Sequence, residues 1–205
     1  AQEDQFLSSL QAADGSIYHC GFTLSFGAGN NDVYVVKTDA NGNTLWEKTY
    51  GTTGSEKGVK IRKCSGTDLI IATDNGCLIK INASGAILWQ KKYASTNFFD
   101  VCYTSDGGYI AAGKNASYAC LVKVDATGNL QWAKNYTGLS TLGYALSVLE
   151  MDDGSYIMGH RQPYVYPFVS NSNIAVSKVS STGVVQWSYA YSTYAEITEF
   201  AEVIK

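Results

Sequence analysis

The chain has 205 residues, of which 45% are aliphatic or aromatic, with two prolines and a charged fraction of 16%. This composition excludes a disordered tail and a coiled coil, and it provides enough apolar residues for a packed core. A formal net charge of -3 without any cluster of lysine and arginine argues against nucleic acid or an anionic membrane as the main partner. No apolar run approaches the roughly 18 to 20 residues that a membrane-spanning helix needs.

The first part of the chain predicts four strands. An alternating strand over residues 6–10 reaches a turn at Asp14-Gly15, and an apolar strand follows. Residues 33–50, VYVVKTDANGNTLWEKTY, then predict a hairpin, because strand-forming residues flank a stretch of residues that favour a tight turn. Strand, turn and apolar strand recur before each later copy of this hairpin.

The hairpin returns three times with lysine, glycine, tryptophan and tyrosine in one register. The four sets are Lys37/Gly42/Trp46/Tyr50, Lys80/Gly85/Trp89/Tyr93, Lys123/Gly128/Trp132/Tyr136 and Lys178/Gly183/Trp187/Tyr191. A four-stranded unit that recurs about every 40 to 50 residues is typical of a β-propeller blade. We therefore predict an all-β fold, a four-bladed β-propeller of four-stranded antiparallel blades, with blades at about 1–51, 52–94, 95–137 and 138–194.

The last blade is longer than the others because residues 160–173, HRQPYVYPFVSNSN, form an insertion that holds both prolines. We predict it to be a loop between the second and third strands, on the same face as the long loop FTLSFGAGNN of the first blade. Aromatic residues in these loops suggest one hypothesis, a module that binds a glycan or a protein. They are Phe22, Phe26, Tyr164, Tyr166 and Phe168.

The segments DANGNTLWEKTY, DATGNLQWAKNY and STGVVQWSYAY, with DGGYIAAG and DGSYIMG upstream, resemble the β-propeller repeats of secreted proteins. They are also similar to the tryptophan-docking repeats of quinoprotein-like propellers. In that family the turn glycine and the tryptophan lock each blade against its neighbour. The resemblance implies this role for the pairs Gly42/Trp46, Gly85/Trp89, Gly128/Trp132 and Gly183/Trp187, and an indole N–H that needs a partner fits it.

Some members of that superfamily are dehydrogenases with pyrroloquinoline quinone, but no set of polar cofactor ligands can be matched in this chain. We therefore predict no cofactor. The chain contains two histidines, His19 and His160, and no nucleophile is tied to either by a motif. The turns at Asp39 and Asp125 faintly resemble calcium loops, but the other two copies lose the ligands and keep the turn. We predict neither an enzyme nor a metal site.

Residues 195–205, AEITEFAEVIK, align without a gap on the first eleven residues of the chain, AQEDQFLSSLQ. A closed ring of four blades has room for four first strands, so the fifth is left over. The chain could be part of a longer propeller or one unit of a tandem array, or it could donate this strand to a neighbouring subunit. Head-to-tail donation need not close and would produce a filament. The predicted interface residues are Ala195, Ile197, Phe200, Val203 and Ile204, docking near Phe6 and Leu10.

The leading hypothesis is therefore a secreted, self-associating structural protein whose partner is another copy of itself. The chain starts without the features of a signal peptide, so any such peptide has been removed or was never there. Three sequons, at Asn82, Asn115 and Asn135, are consistent with glycosylation outside the cell. Cysteines at core-like strand positions predict buried free thiols, and only the state of Cys64 is left open.

Overall fold

The computed structural model describes residues 3–93, 96–137, 143–166 and 169–191, with the backbone alone over 162–166 and 169–173. This part of the chain contains sixteen strands, arranged in four antiparallel sheets of four strands each. It contains no helix, and so none long and apolar enough to cross a membrane. The architecture is all-β and corresponds to a four-bladed β-propeller, as the sequence predicts.

Each sheet takes its strands in chain order from one edge to the other. The first sheet comprises β1 (Asp4–Gln11), β2 (Ile17–Thr23), β3 (Asp32–Thr38) and β4 (Thr44–Tyr50), and the second comprises β5 (Gly58–Lys63), β6 (Leu69–Thr73), β7 (Cys77–Ile81) and β8 (Ile87–Lys92). The third comprises β9 (Thr96–Tyr103), β10 (Tyr109–Asn115), β11 (Tyr118–Val124) and β12 (Leu130–Asn135), and the fourth comprises β13 (Tyr144–Glu150), β14 (Tyr156–Tyr166), β15 (Val169–Val179) and β16 (Val185–Tyr191).

The chain divides into two compact units, and the division falls within β9, between Phe98 and Phe99. In the first unit, the first and second sheets share a core that includes Tyr18, Val35, Ile71 and Ile79. In the second unit, the third and fourth sheets share a core that includes Ile110, Leu121, Val148 and Met158. Middle strands are buried on both faces and read as continuous apolar runs, whereas the outer strands β4, β8, β12 and β16 are mostly exposed.

The hairpin of the third and fourth strands has the same register in every sheet. The lysine of the repeat lies opposite the tryptophan, as in the pair Lys37 and Trp46, and a β-bulge follows the lysine directly. The turn glycine has a positive φ in each hairpin, for example +86° at Gly42. A bulge with glycine in the left-handed region is the usual way to close a turn of this length, so the repeated spacing specifies the turn.

Every repeat lysine forms an ion pair with the aspartate in the turn between the first and second strands of its own sheet. The N–O distances are 3.7 Å for Lys37–Asp14, 3.2 Å for Lys80–Asp68, 2.7 Å for Lys123–Asp106 and 2.6 Å for Lys178–Asp153. The two turns of a sheet are thereby linked at the same end of the blade.

The longest hairpin in the described chain joins β14 to β15, and it corrects the prediction of a loop over residues 160–173. β14 runs on to Tyr166, and β15 begins at Val169. β13 pairs with β14 only as far as Arg161, so among the described residues the rest of β14 pairs with β15 alone. Pro163 is compatible with this position because an edge strand tolerates proline. The alternating Tyr-Val-Tyr residues favour strand over loop.

All five cysteines are free, and all but the half-buried Cys102 are buried. The prediction of free thiols is confirmed, and Cys64 is one of the buried four. Burial raises the pKa of the Cys120 thiol to about 12 and raises the pKa of Cys20 as well. These thiols are therefore protonated at neutral pH and act as small apolar side chains.

Candidate functional site

The hairpin turns share one local construction. In the first turn, the Asp39 carboxylate accepts hydrogen bonds from the backbone N–H groups of Asn41 at 2.8 Å and Asn43 at 2.9 Å. Bonds of this kind explain why Asp, Asn and Ser begin turns. In two other hairpins the equivalent side chains, Asn82 and Asp125, accept both corresponding bonds. In the fourth, Ser180 accepts one, from the Val184 N–H. Hydrogen bonds from the backbone N–H of Asn129, and from neighbouring side chains, lower the pKa of Asp125 to about 2.

In the first unit, the outer strand of the first sheet docks on the hairpin turn of the second sheet. The Tyr50 hydroxyl donates to the Gly85 carbonyl at 2.8 Å, and Lys48 Nζ donates to the Ser84 carbonyl at 2.9 Å. A Cβ built on Gly85 would lie 2.9 Å from the Tyr50 hydroxyl and 3.0 Å from Trp46 Cη2. Only glycine permits this approach of the two sheets.

In the second unit, the third sheet docks on the turn of the fourth in the same way. The Trp132 indole N–H donates to the Ser181 carbonyl at 3.1 Å, and the Tyr136 hydroxyl donates to the Gly183 carbonyl at 3.3 Å. A Cβ built on Gly183 would lie 3.2 Å from Trp132 Cζ3. We call such a contact, an outer-strand tryptophan and tyrosine on a hairpin turn, a docking contact. Of the other predicted docking residues, Trp89 is half-buried and Gly128 is buried.

The tyrosine that closes each repeat has a larger role in these contacts than the sequence indicated. Tyr50 and Tyr136 are 6% and 7% exposed, and burial raises the pKa of both hydroxyls. Each hydroxyl must donate a hydrogen bond if its burial is not to be costly, and the turn carbonyl is the acceptor. The signal for this role was the return of tyrosine in all four repeats.

Three members of the same motif, Gly42 in the first sheet and Trp187 and Tyr191 in the fourth, are exposed. Tyr191, at the end of β16, is 61% exposed and Trp187 is 38% exposed, in contrast to Tyr50 and Tyr136. A Cβ built on Gly42 would have no described atom within 4 Å, and the turn around it is exposed. Motif residues that are alike in sequence thus have two environments, occupied and open.

An exposed aromatic cluster, which we call the aromatic patch, lies on the first sheet and comprises Phe6, His19, Phe26 and Tyr34. Phe6 stacks on Tyr34 with 5.6 Å between ring centroids, and Phe26 meets Tyr34 edge-on at 5.0 Å. Phe6 is 46% exposed and Phe26 is 48% exposed. Burial and a hydrogen bond to Glu47 raise the pKa of Tyr34 to about 12, so the hydroxyl remains a donor at neutral pH.

The aromatic patch combines a residue from each of the two predicted surfaces. Phe6 belongs to the predicted subunit interface, and Phe26 belongs to the alternative ligand face. Leu10, the second cradle residue, is half-buried and packs against the core of the first unit. The donated strand itself lies outside the described residues, with Ala195, Ile197, Phe200, Val203 and Ile204.

The alternative ligand face needs one correction. Phe22 is 2% exposed, with Lys57 Nζ 4.0 Å above its ring, so it belongs to the protein interior and not to a binding face. Its apolar neighbours on β2 explain the burial, because β2 is covered on both faces. Tyr164 and Tyr166 lie on β14, while Phe168 is outside the described residues.

The three sequons have different environments. Asn82 is part of the docked turn, where its side-chain oxygen accepts bonds from the Ser84 and Ala86 N–H groups at 3.0 and 2.9 Å. Asn115 ends β10 and is half-buried, whereas Asn135 is exposed on the outer strand β12. A glycan has the most room at Asn135.

The two histidines also differ. His19 lies in the aromatic patch, with its Nδ1 2.9 Å from the Ser9 hydroxyl. His160 is 1% exposed, and its Nε2 is 2.9 Å from the Ser177 hydroxyl, which donates to Ser188 at 2.8 Å. Burial lowers the pKa of His160 to about 4. A substrate could not reach this imidazole without opening the fourth sheet.

No family model and no curated protein matches this chain. Among solved structures it is similar to a protein of unknown function from Bacteroides caccae, with a TM-score of 0.62 and 13% identity over 91% of this chain and 67% of that one. It is also similar to BamB from Moraxella catarrhalis, with a TM-score of 0.52 and 13% identity over 95% of this chain and 78% of that one. A third similarity is to BBS1N from a complex with ARL6DN, with a TM-score of 0.56 and 12% identity over 91% of this chain and 52% of that one.

Similarities at identities this low show a shared fold alone. The similarities and the four four-stranded sheets agree on a β-propeller.

Proposed function

We propose that this protein is a secreted β-propeller scaffold, without enzymatic activity, that self-associates head to tail. The outer strand of the fourth sheet in one molecule docks on the exposed hairpin turn of the first sheet in the next. The single observation that carries the proposal is that both halves of a docking contact are exposed, with Tyr191 at 61% and nothing described within 4 Å of a Cβ on Gly42.

The two occupied docking contacts provide the template for the association. In each, a tryptophan and a tyrosine on an outer strand pack on a glycine turn, and the tyrosine hydroxyl donates to the glycine carbonyl. In the second unit the Trp132 indole donates to a turn carbonyl as well. Trp187 and Tyr191 occupy the same repeat positions on β16, and Gly42 occupies the acceptor position. Such a contact is heterologous and need not close on itself, so it allows a filament.

The docking contact alone would give weak association. Burying an aromatic side chain contributes about 1.5 to 3 kcal/mol, whereas association costs an estimated 4 to 15 kcal/mol in lost freedom. Further contacts must therefore take part. The aromatic patch on the first sheet and the strand predicted over residues 195–205 are our candidates, since strand addition contributes backbone hydrogen bonds.

Two variants and two matched controls test the docking contact. Trp187→Ala removes the tryptophan of the outer strand that is proposed to dock. Gly42→Asn adds a side chain to the turn that is proposed to receive it, and asparagine tolerates a positive φ. Leu130→Ala is the control for the first, because Leu130 is also exposed on an outer strand, at 57%. Gly66→Asn is the control for the second, because Gly66 has a φ of +67° and nothing described within 4 Å.

We expect sedimentation velocity to show lost or weakened association for both test variants and wild-type behaviour for both controls. Deleting residues 196–205 tests the strand separately, with assembly followed by negative-stain microscopy. If Trp187→Ala and Gly42→Asn assemble like the wild type, the docking contact is not the interface. If the deletion leaves assembly unchanged, the strand has no part in it.

A second candidate function, a glycan- or protein-binding module, is favoured by the exposed ring of Phe26 in the aromatic patch. Aromatic rings that are already held in place bind a partner at low entropic cost. Phe26→Ala, and the double change of Tyr164 and Tyr166 to alanine, should abolish capture on a glycan array while assembly stays intact. The opposite result favours the scaffold.

Secretion and glycosylation belong to the same proposal. Expression through a eukaryotic secretory pathway, followed by enzymatic deglycosylation, should give a mass shift that is lost in Asn135→Gln. A glycan on Asn82 without one on Asn135 would contradict the expectation that Asn135 is the more accessible site. The Asn82 turn is the one that Tyr50 and Lys48 contact.

A further inference from the structure

The chain contains two Asn-Gly sequences, Asn41-Gly42 in the hairpin turn of the first sheet and Asn75-Gly76 in the turn between β6 and β7. In such a sequence the backbone nitrogen of glycine can attack the asparagine side-chain carbonyl carbon, because no β-carbon on glycine crowds the approach. Whether it does so in a folded protein depends on how firmly the turn and the carboxamide are held.

The backbone of the two turns is closely matched. Gly42 has a φ of +86° and Gly76 a φ of +80°. The Gly42 N–H donates to the Asp39 carbonyl at 3.1 Å, and the Gly76 N–H donates to the Thr73 carbonyl at 3.2 Å. The attacking nitrogen is therefore held by the same kind of hydrogen bond at both sites, and the backbone does not distinguish them.

The side chains are not matched. The Asn75 oxygen accepts a hydrogen bond from the Thr73 hydroxyl at 2.8 Å, and its amide donates to Glu56 Oε1 at 3.3 Å and to the Ser55 carbonyl at 3.4 Å. Gly76 is buried, and a Cβ built on it would lie 2.4 Å from the Thr96 carbonyl oxygen. The carboxamide of Asn75 is thus held on both sides in a closed turn.

Asn41 is exposed, and among the described residues its carboxamide has no hydrogen-bond partner. Its backbone N–H donates to the Asp39 carboxylate at 2.8 Å, and this bond holds the main chain of the turn but not the carboxamide. The space beside Gly42 is also open, with no described atom within 4 Å of a Cβ built there. The turn can therefore deform toward the geometry of attack without displacing packed neighbours.

We infer that Asn41 is a site of spontaneous deamidation in the native protein and that Asn75 is protected from it. The Gly42 nitrogen loses its proton to water and forms a bond to Asn41 Cγ, the bond from Cγ to Nδ2 breaks, and ammonia leaves. Water then opens the resulting succinimide at either carbonyl, giving aspartate or isoaspartate. The reaction needs no oxidant, reductant or metal.

The product changes the exposed turn that holds Gly42. It carries a new negative charge, and isoaspartate also adds one carbon to the main chain of a tight turn. The deamidation itself does not depend on the proposed self-association. If both hold, aged protein should associate less well than fresh protein, which gives a separate readout.

The test is to incubate the full chain at mildly alkaline pH and to follow both sites by peptide mass spectrometry. Freeing Asn75 breaks at least one hydrogen bond, so we expect Asn41 to react at least about fivefold faster, which corresponds to roughly 1 kcal/mol. Thr73→Val should accelerate Asn75, while Asn41→Gln should abolish the fast reaction. In denaturant the two rates should converge.

Equal rates at Asn41 and Asn75 in the native protein would overturn the inference, and so would faster reaction at Asn75 or no reaction at either site. A preference for Asn41 that persists unchanged in denaturant would also overturn it, because the cause would then lie in the local sequence and not in the fold. The rates are measured at a protein concentration at which sedimentation shows only the monomer, so failure of the proposed function leaves these outcomes unaffected.

Discussion

Residues that share a repeat position are not equivalent in energy, and the four ion pairs show this most clearly. Lys123 is 2% exposed, and its Nζ lies 2.7 Å from Asp106 Oδ2, 3.1 Å from Gln131 Oε1 and 3.2 Å from the Val124 carbonyl. Lys37 is 3.7 Å from Asp14, whose side chain is 65% exposed. Removing a buried ammonium leaves these three acceptors without their partner, whereas a solvated pair at longer distance contributes little.

Replacing Lys123 with methionine should therefore cost about 2 kcal/mol of unfolding free energy, because Asp106 and Gln131 lose a charge-assisted partner. The matched change Lys37→Met should cost less than about 1 kcal/mol. Equilibrium denaturation with urea measures both. Equal losses for the two variants would show that burial of the ammonium does not decide the strength of the pair.

His160 should make stability depend on pH. Burial lowers its pKa in the folded state to about 4, whereas the unfolded side chain has an ordinary pKa near 6.5. The unfolded state binds the proton first as pH falls, so the free energy of unfolding should decrease by roughly 3 kcal/mol between about pH 6.5 and 4. Above that window the imidazole is neutral in both states and adds no pH dependence.

His160→Gln provides the control, because the carboxamide can bond to Ser177 but cannot titrate. The slope of unfolding free energy against pH between 6.5 and 4 should be shallower in this variant than in the wild type. Identical slopes would assign the acid sensitivity to other groups. Asp106 is distinguishable, because hydrogen bonds lower its pKa to about 2 despite burial. The stability that it contributes is therefore lost between its ordinary pKa near 3.9 and about pH 2, below the window of His160.

At the level of elements, the repeated unit is a hairpin whose turn also serves as a docking surface. Gly85 combines a positive φ of +76° with close contact to Trp46 and Tyr50, whereas Gly66 has a φ of +67° and open space. The two glycines therefore separate the cost of backbone strain from the cost of disturbing a docking contact.

Gly66→Ala should cost about 1 kcal/mol of unfolding free energy through strain in the left-handed region. Gly85→Ala should cost about 1 to 3 kcal/mol more, because the added methyl group also displaces the Trp46 ring. Thermal or chemical denaturation of the two variants measures the difference. Equal costs would mean that the docked sheets can move apart freely.

For the whole molecule, a core cluster is described in each of the two units, with Tyr50 in the first cluster and Tyr136 in the second. Tyr50 and Tyr136 each make one buried hydrogen bond in a docking contact, one in each unit. Their removal should therefore act independently on overall stability.

Tyr50→Phe and Tyr136→Phe should each cost about 1 kcal/mol, and the double variant should equal their sum within about 0.5 kcal/mol. Tyr191→Phe is the control and should be neutral in the monomer, because Tyr191 is exposed. Urea denaturation of the wild type, the two single variants, the double variant and the control measures these free energies. A coupling energy well above this limit would indicate that the docking contacts are not independent.

The sequence by itself determined the architecture. Turn residues and strand alternation are local properties, and their return in one register was sufficient to predict four four-stranded blades, the hairpin turns and the free thiols. The docking glycines were named from a family resemblance. The local pattern also supported two wrong expectations, a loop over residues 160–173 and an exposed Phe22.

Only the tertiary structure decided which copies of the motif are occupied. Gly42 and Gly85 occupy the same repeat position, yet one turn is open and the other holds a tryptophan and a tyrosine. The same holds for Asn41 and Asn75, which share a dipeptide and differ in what holds the side chain. Burial depends on which sheets pack together, and a motif that is repeated identically along the chain contains no information about its neighbours in space.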